Sequence, residues 1–134
     1  AEESIKKALA INLNLFGENH PEAAINYNNL GQIYKGQGNL GQAEECSSKA
    51  FAINLKLSGE YSPDVAKDYN DLGQIYKNQG NLSKAAEYIS KALAIDLELF
   101  GKYSPEVAKD YNNLGQIYKD RGNLDKAAEY INKA

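Results

Sequence analysis

One phrase of this chain occurs three times, and its spacing limits the possible fold more than any other property. NNLGQIYKGQGNL begins at Asn28, NDLGQIYKNQGNL at Asn70 and NNLGQIYKDRGNL at Asn112, so the period is 42 residues each time. Residues 43–84 align with 85–126 with 29 identities in 42. A period of this length marks one supersecondary unit that cannot bury its apolar face alone. Neighbouring units must stack to make a continuous core.

Each unit reads as two helices. In the middle unit, Ser62-Pro63-Asp64 supplies a hydroxyl cap, a proline for the first turn and an acid at the positive helix end. Ala66, Tyr69, Leu72, Gly73, Ile75 and Tyr76 then recur at three- and four-residue spacing, one face of a helix A over roughly Pro63 to Gln79. Gly80 ends it, since glycine tolerates the left-handed conformation of a C-terminal cap. Helix B starts near Ser83, is rich in alanine and leucine, and stops at Gly101. No strand pattern is present, so the class is all-α. Residues 1–16 match helix B. The boundaries are therefore a helix B at 1–16, helix pairs at 21–58 and 63–100, and a helix A with a shortened helix B at 105–134. This order reads as a window on a longer array.

The period also tests GQGNLG, Gly36 to Gly41, which imitates a dinucleotide-binding fingerprint. The sister loops read NQGNLS and DRGNLD, so only Gly38 recurs, as Gly80 and Gly122. A true fingerprint follows a strand and opens a helix. This one follows helix A, and the expectation is a positive φ at Gly38 and no nucleotide. His20 stands where Ser62 and Ser104 stand, a capping position rather than a catalytic one. Cys46 has no basic partner in the sequence to lower its pKa and reads as a structural thiol. One histidine and one cysteine on separate helices do not make a metal site. The acids are spaced as on solvated helix faces. No acid–base pair, triad or P-loop is visible, so no enzyme and no cofactor is expected.

The residues in hand resemble the tetratricopeptide repeat. Its aromatic matches Tyr27, Tyr69 and Tyr111, and its Leu-Gly matches Leu30-Gly31, Leu72-Gly73 and Leu114-Gly115. Its second tyrosine matches Tyr34, Tyr76 and Tyr118, its loop glycine Gly38, Gly80 and Gly122, and its alanines Ala43 with Ala50 and Ala85 with Ala92. The long period, and the junction Gly17-Glu18-Asn19-His20-Pro21, are similar to the kinesin light chain subclass, which implies a cargo-adaptor type of role. The resemblance implies a right-handed α-α solenoid of antiparallel helix pairs. Gly31, Gly73 and Gly115 fall mid-helix, where glycine costs about 1 kcal/mol against alanine, so a close helix crossing is expected at each. In the first of these units Ser47 replaces the isoleucine of Ile5, Ile89 and Ile131, and Phe51 replaces leucine, which reads as an exchange of volume, with a small pocket there as the alternative.

In the family the A helices line the concave face, where ligands lie. Carried over, this gives a repeated polar stripe: Asn28, Asn70 and Asn112, then Gln32, Gln74 and Gln116 one turn later, then Lys35, Lys77 and Lys119 near the helix end. Lys67 and Lys109 lie near the helix start, where the first unit has Ile25. Asn and Gln suit a peptide backbone, and the lysines suit an acidic ligand. No arginine completes the family's clamp for chaperone tails. The tyrosines read as packing.

The leading expectation is thus a non-catalytic scaffold binding a protein or peptide segment. The alternative is self-association through the array ends, which carry no polar capping helix. A net charge of −3 and a pI near 5.2 argue against nucleic-acid binding. No apolar run approaches the ~20 residues of a membrane helix. A single cysteine fits a reducing, cytoplasmic compartment.

Overall fold

The computed structural model describes residues 2–134. Among them all regular structure is helical: α1 (Glu2–Phe16), α2 (Pro21–Gly36), α3 (Leu40–Ser58), α4 (Pro63–Asn78), α5 (Leu82–Phe100), α6 (Pro105–Asp120) and α7 (Leu124–Lys133). The A helices are α2, α4 and α6, and the B helices α1, α3, α5 and α7.

The capping residues set these limits. Oγ of Ser62 accepts the Val65 N–H at 3.2 Å, and Oγ of Ser104 accepts the Val107 N–H at 3.2 Å. His20 does the same work with its ring, Nδ1 accepting the Glu22 N–H at 3.2 Å. Helix A ends in a paired C-terminal motif: the Asn39 N–H reaches the Tyr34 carbonyl at 2.8 Å and the Gly38 N–H the Lys35 carbonyl at 3.1 Å. Gly38 takes φ +79° to allow this, whereas Gly36 and Gly41 are open positions with no positive φ. Helix B begins one residue before the expected Ser83. Asn81 is the reason: its Oδ1 accepts the Lys84 N–H at 3.2 Å, and Asn123 repeats this with Lys126 at 3.1 Å.

The chain divides into two compact units, one ending at Glu60 and the other spanning Tyr61–Ala134. In the first, α1 packs on α2 and α2 on α3. Ala23, Ala24 and Ile53 form one cluster of its core, with Leu9, Leu13 and Tyr27 packed against them, and Leu30, Tyr34, Ala43 and Ala50 are buried as well. In the second, α4 packs on α5, α5 on α6 and α6 on α7. Its core is Val65, Leu72, Ile75, Ile89, Val107, Leu114 and Ile117, each at most 2% exposed. Burial of one such side chain contributes about 1.5–3 kcal/mol.

The mid-helix glycines sit at close crossings. A Cβ on Gly73 would lie 2.5 Å from Cγ1 of Ile89, and one on Gly115 2.6 Å from Cγ1 of Ile131. At Gly31 the facing atom is Oγ of Ser47, 2.8 Å away. Tyrosines fill the seams between A and B helices: the Tyr76 and Tyr88 rings meet edge to face at 5.1 Å, and Tyr118 stacks on Tyr130 at 5.4 Å. Tyr61 and Tyr103 differ; they are exposed in the loops before α4 and α6.

Candidate functional site: the A-helix faces and a carboxyl-lined cleft

The polar stripe divides by burial. In the first unit Gln32 is exposed, while Asn28 and Lys35 are half-buried. A cleft of about 240 Å³ in this unit is lined by Glu18, Asn19, Tyr27, Lys49, Ala52 and Ile53, away from those three residues. In the second unit Lys67 is exposed, and Gln74 and Lys77 are half-buried. On α6, Lys109, Asn112, Gln116 and Lys119 are all exposed.

Three stripe residues of the second unit come together. Lys67, Asn70 and Lys109 line an open cleft of about 280 Å³ with Pro63, Ala66, Asp96, Phe100, Glu106 and Asp110. Gln74, Lys77, Asn112, Gln116 and Lys119 lie outside that lining. Within the cleft Asn70 is 5% exposed. Its Nδ2 donates to Oδ1 of Asp110 at 2.7 Å, and its Oδ1 accepts from Nδ2 of Asn113 at 3.1 Å. The asparagine ties α4 to α6.

Beneath it lies a pair of acids. Asp110 is 1% and Asp96 7% exposed. Burial, and then the neighbouring Asp96 carboxyl, push the Asp110 pKa up to about 8, against the opposing pull of the Asn70 amide and the Lys109 charge. At neutral pH Asp110 therefore keeps its proton beside the Asp96 carboxyl. This corrects the expectation that the acids occupy solvated faces: Asp68, Asp96 and Asp110 are all buried. The sequence carried a signal for it. Position 96 and its equivalents, Asn12 and Asn54, put a polar residue inside an apolar helix face, as do Asn26, Asp68 and Asp110.

The remaining candidates for chemistry have structural partners. His20 caps α2 and stacks on Phe16, ring centroids 4.3 Å apart. Cys46 is half-buried, and burial, followed by the Glu45 charge, pushes its thiol pKa up, away from the reactive thiolate. Among the described residues no three His, Cys, Asp or Glu side chains are arranged to hold a metal ion. No helix among them is long and apolar enough to cross a membrane. GQGNLG follows α2 and precedes α3, with no strand before it.

The family model of the tetratricopeptide repeat matches residues 1–56, 28–98 and 64–134, in overlapping registers along the chain. The chain belongs to the tetratricopeptide repeat family. As such an array it is similar to BtubC (BKLC) from P. vanneervenii, with 30% identity and a TM-score of 0.91 over 98% of this chain and 53% of that one. A putative kinesin light chain of Podospora anserina with nearly identical TPR-like repeats matches at 20% identity and TM-score 0.82, over 98% of this chain and 63% of that one. The tetratricopeptide domain of Arabidopsis FLU matches at 20% identity and TM-score 0.72, over 81% and 88%. The last two show the shared fold alone. The structural neighbours of the long repeat thus include kinesin-light-chain-like proteins. The chain spans about half the length of the BtubC chain. A search of the curated proteins returns no match.

Proposed function

We propose that the chain is a non-catalytic scaffold that binds a protein or peptide segment along its A helices. The observation that carries this is the repeated polar surface of α2, α4 and α6. Gln32, Lys67, Lys109, Asn112, Gln116 and Lys119 stay exposed there, while the apolar faces of the same helices are buried against the B helices. Asn and Gln side chains offer both donors and acceptors, which suits an extended peptide backbone. Asn28, Lys35, Gln74 and Lys77, half-buried, extend the surface toward the helix ends. Asn70 contributes by holding α4 and α6 together. Tetratricopeptide domains generally bind protein partners. A cytoplasmic setting suits the single thiol, and the net charge of −3 suits protein rather than nucleic acid.

The test is fluorescence anisotropy with a panel of labelled extended peptides, acidic, basic and neutral. Gln74→Ala with Gln116→Ala should weaken the best binder by about tenfold, the cost of a lost hydrogen-bond pair. Ser90→Ala, on the exposed side of α5, should leave it unchanged. Equal binding by all variants would remove the A-helix surface as the site.

A second reading is association of two copies through α1 and α7. Ile11 and Leu15 on α1 are 57% and 66% exposed, and Leu124 on α7 is 67% exposed. Light scattering over a concentration series decides it, since a constant monomer mass excludes this mode.

A further inference from the structure

The cleft of the second unit holds more acceptors than the protein supplies donors for. Oδ1 of Asp110 receives the Asn70 amide, but its Oδ2 is buried with no hydrogen-bond donor. Oε2 of Glu106 is buried in the same way. Asp96 brings a third carboxyl to the same walls. The proton that Asp110 holds serves one oxygen pair with Asp96 and leaves Glu106 without a donor.

The chemistry that would satisfy this set is narrow. A metal ion needs its ligands around one point, and no three acids among the described residues are so placed. A guanidinium is wider. It is planar, carries five N–H donors in a fork, pairs with carboxylates through two bonds, and sheds water more readily than an ammonium. The rest of the cleft suits its stem: Pro63 and Ala66 are apolar, and the half-exposed Phe100 lines the same walls as an aromatic neighbour for a cation. Lys67 and Lys109 oppose a cation. Both are exposed, so water and salt screen them, while the buried carboxyls are screened far less.

We propose that this cleft is a socket for one arginine side chain of the bound polypeptide. This rests on the reading of the chain as a peptide-binding scaffold. The repeat itself marks the site as special: the equivalent position pairs are Asn12 with Asn26 and Asn54 with Asp68, and two acids occur together at Asp96 and Asp110. Seating the arginine expels the Asp110 proton. The charged groups around that proton are Lys67 on α4, Asp96 on α5, and Glu106 and Lys109 on α6. Affinity therefore rises with pH up to about 8, where Asp110 titrates, by up to about tenfold per pH unit.

The probe is N-acetyl-arginine amide, titrated into the ¹⁵N-labelled chain at pH 6.5 and pH 8. The side-chain amide signals of Asn70 and Asn113 should shift, with clearly tighter binding at pH 8. Asp110→Asn should weaken binding by about tenfold or more and abolish its pH dependence. This variant should fold, because the chain already uses asparagine at the equivalent Asn26. Lys67→Ala should tighten binding by about twofold. Unmoved amides, or shifts unchanged in Asp110→Asn, overturn the proposal. So does preference for N-acetyl-glutamate amide that is lost in Lys67→Ala, which would make the cleft an anion site. Peptide binding that survives replacement of every arginine overturns the socket but leaves the scaffold. A seated probe with no peptide bound by any panel member instead removes the scaffold, and with it the polypeptide as the source of the arginine.

Discussion

The crossing of α2 on α3 and the crossing of α4 on α5 use the same glycine and close it with different atoms. In the first unit Gly31 faces Ser47, whose Oγ is a small hydroxyl that can rotate away. In the second, Gly73 faces Ile89, a fully buried branched side chain with no room to move. The polar interior differs too. Asn26 in the first unit is neutral, and its Nδ2 is buried without a partner; at the equivalent position on α6 of the second, Asp110 holds a proton beside Asp96. One backbone thus carries a crossing closed by a hydroxyl and a crossing closed by a branched side chain, and the second unit also holds a buried titratable group. Fold and chemistry vary independently from repeat to repeat.

The largest expected effect is Ile89→Ala, which should destabilise the chain by about 3–4 kcal/mol through a cavity beside Gly73. Ser47→Ala, at the equivalent place, should cost about 1 kcal/mol or less. Urea melts of both variants measure the gap, and equal losses would mean that the two crossings are packed alike.

The next effect is a pH slope peculiar to the second unit. The folded chain holds the Asp110 proton to about 8, whereas an exposed carboxyl loses it near 3.8. Folding therefore binds a proton between those values. The associated stability is complete below about pH 4 and is lost as pH rises to about 8, by at most about 1.4 kcal/mol per unit. Asp110→Asn should flatten that slope in melts at pH 5, 7 and 9. A slope of the same size in the variant would assign the proton to another group.

Gly73→Ala should cost about 1–2 kcal/mol, because crowding against Ile89 exceeds the helix-propensity gain of about 1 kcal/mol. Gly31→Ala should be near neutral, since Ser47 can yield. Thermal melts of the pair test this directly. The smallest difference concerns caps: Ser62→Ala should cost about 1 kcal/mol, and His20→Ala about a few tenths of a kcal/mol more, as its stacking on Phe16 is lost with the cap. A tie between them would show that the stacking adds nothing measurable or that imidazole is the weaker cap.

Much of the architecture was readable because it is local and repeated. Ser62-Pro63 and Gly80 mark helix ends through backbone chemistry that needs no neighbours. Gly73 announced a close crossing because a mid-helix glycine is costly unless something touches it. The candidate surface was readable in part. Lys67 and Lys109 are exposed as a solvated stripe should be, but Asn70, in the same register as the exposed Asn112, is buried beneath its own hydrogen bonds. The difference arises because Asn70 has α6 beside it to supply Asp110 and Asn113. Asp96 and Asp110 lie fourteen positions apart on successive helices, and nothing in their spacing says that they meet.

The sequence by itself determined helix limits, the 42-residue period, the family and the crossing points, because capping, propensity and apolar periodicity act within one or two turns. Tertiary structure decided which polar residues face water and which face each other. Burial and the approach of a second carboxyl, not residue identity, turned Asp110 from an ordinary surface acid into a proton-holding group. Those quantities depend on how α4, α5 and α6 pack, and only the folded chain contains them.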